Sequence, residues 1–378
     1  MLYLDHAATS PVRPEVLDAM RPYLTEVYGN PSSHHTTGEA AANALADARA
    51  QIASVLGTRA SDVIFTAGGT EANNLAVKGI TLAALARDRR HVVVSPIEHE
   101  SILESAEYLR RFHGVSVTQV TVDSLGRITP EALGAALRDD TAVVSLGHAN
   151  NEIGTVQDSS ALSAVTRAVG VPLHIDAVQS AGWLDLHDLG ADAISITGHK
   201  LGAPKGIGAL AVRGRVPLEP LLHGGGQERG RRSGTENVAG AVGLATALQL
   251  AEEERVAVAS RVGAATERFI AAVLARVPAA ALTGDPQRRL PATASFTFAG
   301  TSGEAVLLEL ERRGIVSSSG SACAAGSDEP SHVLLACGIA PEIAQTSVRF
   351  TFGRGELPAD APERLAALVM DSVRAVSG

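Results

Sequence analysis

Lysine is almost missing from this chain. Of 32 lysine and arginine residues among 378, only Lys78, Lys200 and Lys205 are lysines. Aromatics are scarce too, at 3%, against 45% hydrophobic residues; a core has to be built mainly from Ala, Val, Leu and Ile. Two cysteines, Cys323 and Cys337, cannot make a disulfide framework and show no C-x-x-C spacing for zinc or thiol redox work. No run approaches the ~18 to 20 apolar residues of a membrane span. The N-terminus also lacks a basic stretch leading into an apolar one, so a soluble, cytoplasmic protein without a membrane partner is expected. With a formal net charge of −9 and no basic block, direct nucleic-acid binding is not expected.

At 378 residues the chain exceeds one average domain and falls short of three. Short β-prone runs alternate with helical patterns from Val63 to Val212, the signature of a mostly parallel α/β sheet whose ligands sit at the carboxyl ends of strands. A helical pattern without a convincing break runs from Asn237 to Val277 and is long enough to bridge two domains. Beyond it, strand patterns at Ala292 to Phe298 and Thr346 to Phe352 mix with helices. We expect a large α/β domain over residues 15–250. A smaller α+β domain is expected from residues 1–14 and 251–378.

The strand ends carry the chemistry. Val63 to Thr66 runs into Gly68-Gly69-Thr70-Glu71 and a helix, which reads equally as a phosphate cup or as a tight turn capped by Thr70. His91 to Ser95 leads to Glu98-His99-Glu100; position 103 is Leu, so no H-E-x-x-H metal pattern exists, and His99 is open as a stacking ring or a helix-start residue. Asn150 and Asn151 follow another strand, as loop caps or ligand contacts. Leu173 to Asp176 ends in a carboxylate with Gln179 three residues on, a position suited to keeping a pyridine nitrogen protonated. Ala193 to Lys200 ends in T-G-H-K, where the lysine either snorkels to water or forms a Schiff base with a carbonyl cofactor. His223 to Thr235 is Gly-rich and basic without matching a nucleotide-binding pattern, and suits an anion. Cys323 lies among serines, alanines and glycines that cannot bury it, whereas Cys337 lies in an apolar run; Cys323 is expected to be an accessible, reactive thiol on a loop spanning about residues 317–330.

Taken in order, the motifs Y-L-D-H-A-A-T, G-N-P-S-S, F-T-A-G-G-T-E-A-N-N, I-E-H-E-S, N-N-E-I-G, H-I-D-A-V-Q-S, T-G-H-K, R-S-G-T-E-N and S-S-G-S-A-C span nearly the whole chain. The chain resembles the pyridoxal-phosphate cysteine desulfurases of the NifS/IscS type, within the class V aminotransferases. The resemblance implies a fold type I transferase with a mostly parallel seven-stranded sheet. It also implies that Lys200 holds the cofactor and moves the substrate α-proton, its amine made usable by burial. His99 would stack on the ring, Asp176 would pair with the pyridine nitrogen, Gln179 with the phenolic oxygen, and Asn151 would lie near that oxygen and the substrate. Gly69, Thr70, Thr197 and His199 would bind the phosphate, and Thr235 would reach a phosphate in the neighbouring subunit of a homodimer. Arg349 would grip the carboxylate of L-cysteine, and Cys323 would take its sulfur as a persulfide, releasing alanine.

Thr197 stands where some relatives have serine, which keeps the hydroxyl. The sequence ends at Gly378 soon after its last expected helix, where some relatives extend to dock an iron–sulfur scaffold. The protein acceptor, such as a scaffold or a thiolation enzyme, therefore stays open among iron–sulfur cluster assembly, tRNA thiolation and DNA phosphorothioation. The alternatives are a selenocysteine lyase or another class V aminotransferase, and, from a different class, a non-catalytic sulfur carrier.

Overall fold

The computed structural model describes residues 1–320 and 329–377. Its centre is a seven-stranded sheet, ordered Val63–Thr66, Gly208–Val212, Ala193–Thr197, Leu173–Asp176, Thr141–Gly147, His91–Val94, Ser116–Gln119. Gly208–Val212 runs antiparallel to both of its neighbours, and the remaining pairs are parallel. Apolar runs such as Ala193–Thr197 and Thr141–Gly147 are buried nearly end to end because helices cover both faces. Side chains alternate between those faces: Val93 and Val144 pack into one cluster, Val92, Val94 and Val143 into the other. Each fully buried Val, Leu or Ile contributes about 1.5–3 kcal/mol, so an aliphatic chain holds this sheet without aromatics.

The aromatics are concentrated elsewhere. Five of the seven phenylalanines, at 269, 296, 298, 350 and 352, lie in a second core. Phe269 meets Phe350 and Phe352 edge-on at centroid distances of 5.1 and 5.5 Å. This core packs on an antiparallel sheet of Ser347–Thr351, Thr293–Phe298 and Ala280–Leu282. The 39-residue helix Val238–Arg276 runs through both bodies: its buried side chains up to Ala251 join the sheet's core, and those from Val258 onward join the aromatic one. At 1.5 Å per residue it is about 58 Å long. The N-terminal Leu2–Tyr3 pairs in parallel with Ile315–Val316. The strands Ile315–Val316 and Ala280–Leu282 are too short for sequence periodicity to reveal. No described helix is long and apolar enough to cross a membrane.

Candidate active site

Because its strands run parallel, the sheet presents the turns after residues 66, 94, 147, 176 and 197 along one edge. The turns after residues 94, 147, 176 and 197 form a cleft there, open to solvent and lined by His99, Asn151, Asp176, Gln179 and Lys200. Residues spread over a hundred positions of sequence thus meet in one place. Lys200 is half-buried in the turn after its strand.

Asp176 anchors the floor. Its Oδ1 accepts from the Val178 N–H at 2.9 Å and its Oδ2 from the Asn73 amide at 2.7 Å. Asn73 Nδ2 also donates to Ser101 Oγ at 2.9 Å, which leaves the Ser101 hydroxyl proton for His99 Nδ1 at 2.8 Å. The Ser101 backbone N–H donates to the same nitrogen at 3.0 Å. A nitrogen accepting from an amide carries no proton, so the neutral His99 ring bears its hydrogen on Nε2. Burial lowers the His99 pKa; the Asp176 carboxylate opposes that and the Lys200 cation reinforces it. One chain of hydrogen bonds therefore sets both the carboxylate and the imidazole. Asn73 and Ser101 fall within the motifs F-T-A-G-G-T-E-A-N-N and I-E-H-E-S, but the sequence alone assigns no role to either.

The phosphate cup is a built feature. Gly68 sits at φ 156°, ψ −177°, a combination open to glycine, and Gly69 starts the helix. A Cβ on Gly69 would lie 2.8 Å from Val178 Cγ2, so the backbone approach there needs glycine. Thr197 Oγ1, within 3.9 Å of where a Cβ on Gly68 or Gly69 would stand, is buried and has no hydrogen-bond partner among the described residues. An orphan hydroxyl beside a helix start, with a carboxylate across the cleft and a lysine three residues on, fits a phosphorylated pyridine aldehyde. Thr70 is exposed on that helix's first turn. His199 turns its Nδ1 towards Thr9 Oγ1 at 3.2 Å and is held neutral, its pKa pulled down to about 4 by burial and by the charges of Lys200 and Lys205.

The two adjacent amides divide the work. Asn150 caps the loop, accepting from the backbone of Glu152 and Ile153 at 2.8 and 3.0 Å and donating to the Ile97 carbonyl. The Asn151 carbonyl accepts from Arg349 Nη1 at 2.7 Å. Gln179 donates to the Ala7 carbonyl at 3.2 Å, drawing the N-terminal segment to the cleft. Arg349 is 1% exposed and does not line the cleft: its Nη2 donates to Asp5 Oδ1 at 2.6 Å, and its Nε has no partner among the described residues. Glu98, beneath His99, accepts from Ser95 Oγ at 2.5 Å and from the Gly147 N–H at 2.7 Å. Burial pushes it up to about 8 despite the Ser95 hydroxyl, and the Asp176 charge adds to the rise.

Thr235 is exposed on the Gly-rich loop, outside this cleft. That loop is tied down by Arg232 on Glu71 at 2.8 Å and by a buried Arg49–Glu228 pair at 2.7 Å. Cys323 lies outside the described residues. Cys337 is buried, and burial pushes its thiol up to about 11, as its apolar sequence context suggests for an inert core cysteine. No cluster of three metal-ligating residue types occurs among the described residues.

Comparison with known proteins agrees with this geometry. Residues 2–360 match the aminotransferase class-V family. A cysteine desulfurase IscS of Dictyoglomus turgidum is 41% identical over 380 residues, covering 100% of this chain and 96% of that protein. An IscS-like cysteine desulfurase of Mycobacterium tuberculosis is 44% identical, covering 97% and 95%. Among solved structures, a NifS-like protein superposes with a TM-score of 0.91 at 32% identity, covering 99% of this chain and 100% of that one. Similarity end to end, a seven-stranded sheet of the expected topology and a cleft fitted to the cofactor converge: the chain belongs to the class-V aminotransferase family, as one of its pyridoxal phosphate-dependent cysteine desulfurases.

Proposed function

We propose that this protein takes sulfur from L-cysteine, releases L-alanine and keeps the sulfur as a persulfide on Cys323. The C–S bond of the substrate breaks, an S–S bond forms, and the proton balance closes without an outside oxidant or reductant. The observation that carries the reading is the hydrogen-bond chain from Asp176 through Asn73 and Ser101 to His99 in the cleft that Lys200 enters. Bound there, pyridoxal phosphate supplies an electron sink for negative charge at the substrate α-carbon.

The chain's own groups do the rest. Asp176, held by two donors, would keep a proton on the cofactor's ring nitrogen, and the neutral His99 ring offers a flat face and an Nε2 proton. Thr197, Thr70, His199 and the Gly69 amide would hold the phosphate, while Gln179 and Asn151 would hold the oxygen side of the ring. Lys200 would hold the cofactor and carry the α-proton. Arg349 takes the substrate carboxylate, its unpartnered Nε–H supporting that role while Asp5 orients the rest of its fork. The Cys323 thiolate attacks the sulfur and then passes it to a protein acceptor, an iron–sulfur scaffold or a thiolation enzyme.

A homodimer completes the phosphate site through Thr235, whose exposure on an anchored loop supports its reaching a neighbour. A cytoplasmic setting suits a nucleophile that must stay a free thiol. The test is Cys323→Ala with cysteine and a reducing thiol. The variant is expected to keep the cofactor's visible absorption and to form no alanine; undiminished alanine production would refute the nucleophile.

A further inference from the structure

Glu152 follows Asn151 in the turn after the strand Thr141–Gly147, and it is 5% exposed. A carboxyl removed from water needs partners. Its Oε2 accepts from Ser331 Oγ at 2.5 Å. The same Ser331 oxygen accepts from the Leu334 N–H at 3.2 Å, capping the helix His332–Ala336. The helix start is therefore fastened to the turn that carries Asn151. The next residue reinforces the junction: His332 Nε2 lies 3.1 Å from the Glu98 carbonyl, beside the His99 turn.

Gly320 lies close to the same side chain. It sits at φ +90°, where glycine is favoured, and a Cβ there would stand 3.6 Å from both Glu152 Cβ and Oε2. Its carbonyl accepts from Arg349 Nη1 at 3.2 Å, and that nitrogen also holds the Asn151 carbonyl at 2.7 Å. Gly320 precedes Cys323 by three residues and Ser331 follows it by eight. Glu152 thus stands between the two anchors of the Cys323-bearing segment, and it is joined through the backbone to a residue that lines the cleft.

We propose that Glu152 is a positioning residue for sulfur transfer, its carboxyl fastening Ser331, and with it the chain that leads from Cys323, to the turn that carries Asn151. The role rests on Cys323 being the nucleophile. It requires an acceptor oxygen at Oε2, not a negative charge, because the partner is a hydroxyl. Burial raises the pKa of Glu152, against the Ser331 hydrogen bond and the charges of His332 and Arg349, which agrees with a group used for shape and acceptance. Glutamine keeps the oxygen; alanine removes it.

The experiment uses the cofactor-loaded protein and three measurements: the visible spectrum with and without cysteine, single-turnover alanine formation, and the rate of iodoacetamide alkylation of Cys323 read by peptide mass against buried Cys337. Glu152→Ala is expected to keep the cofactor band and its half-saturation by cysteine, to slow alanine formation by about 10²-fold as for a displaced reacting group, and to speed alkylation of Cys323. Ser331→Ala should do the same to a smaller extent, and Glu152→Gln should recover most of the rate. Transfer at the parent rate in Glu152→Ala, or equal losses in cofactor binding and transfer, overturns the proposal. Cys323→Ala is run alongside: alanine formation by that variant overturns the nucleophile and the positioning role together, whereas an inactive Cys323→Ala beside a full-rate Glu152→Ala overturns the positioning role alone.

Discussion

Replacing Thr197 with valine should move the cofactor-free and cofactor-bound proteins in opposite directions. Thr197 is 2% exposed and ends a strand whose backbone pairs with Gly208, so the change leaves the ladder intact and fills nearly the same volume. Its Oγ1 is buried without a hydrogen-bond partner among the described residues, a state that costs about 1–3 kcal/mol. Valine removes that cost, and the cofactor-free variant should be more stable than the parent by about 1 kcal/mol. A phosphate at the Gly68–Gly69 cup would give the hydroxyl a charged acceptor, a bond of about 1.5–3 kcal/mol that valine cannot make. Cofactor affinity should therefore fall roughly ten- to 150-fold. Urea unfolding of the cofactor-free proteins gives the first quantity, and titration with pyridoxal phosphate followed by visible absorption gives the second. Thr197→Ser should bind like the parent. A valine variant with parent affinity, or one destabilised without cofactor, would show that the hydroxyl is satisfied within the protein and that the phosphate assignment is wrong.

Two further outcomes follow from the same edge of the sheet. In Gly208→Ala the new Cβ would fall 2.7 Å from the Gly68 carbonyl carbon and 2.8 Å from Ile196 O, backbone atoms that cannot swing aside; restoring contact at about 3.5 Å shifts Gly68 by roughly 0.8 Å, and cofactor affinity should drop about tenfold or more with unchanged circular dichroism. Affinity equal to the parent's would mean that this close approach does not set the cup. His174 is fully buried between Ser145 and Ser195 hydroxyls, each 2.8 Å away, and burial pulls its pKa down to about 4 against the Asp176 charge. The unfolded chain takes up this proton near pH ~6.5 and the folded one only near 4. The neutral ring's contribution is therefore whole above pH ~6.5 and is lost progressively as pH falls towards 4. Glu98, raised to about 8, gives a slope of opposite sign. The comparison that isolates His174 is thus His174→Gln: its urea midpoint should fall less between pH 7 and pH 5 than the parent's, and identical falls would contradict the neutral buried ring.

The chemistry at strand ends was legible because it is local. A strand, then Asp176 or T-G-H-K, is a contiguous pattern, and in a parallel sheet the residue that ends one strand must face the residue that ends the next. Cys337 as core could be read from its neighbours, and the long helix from its unbroken pattern. Asn150 and Asn151 could not be told apart, since each amide suits a cap or a ligand and only the fold shows Asn150 bonded to its own loop.

Other features depend on partners far away in the chain. Arg349 reaches Asp5 across 344 positions, Asn73 reaches Asp176 across 103, and Glu152 reaches Ser331 across 179. The sequence alone determined the family, the cofactor and which residue types end which strands, because motif order and strand-end chemistry survive without coordinates. The tertiary structure decided which nitrogen of His99 carries its proton, where the Arg349 fork points and what stands between Gly320 and Ser331. The Arg349–Asp5 and Glu152–Ser331 bonds join segments that only packing brings within 3 Å, and the Ser101 hydroxyl that fixes His99 is itself held by Asn73 from another helix.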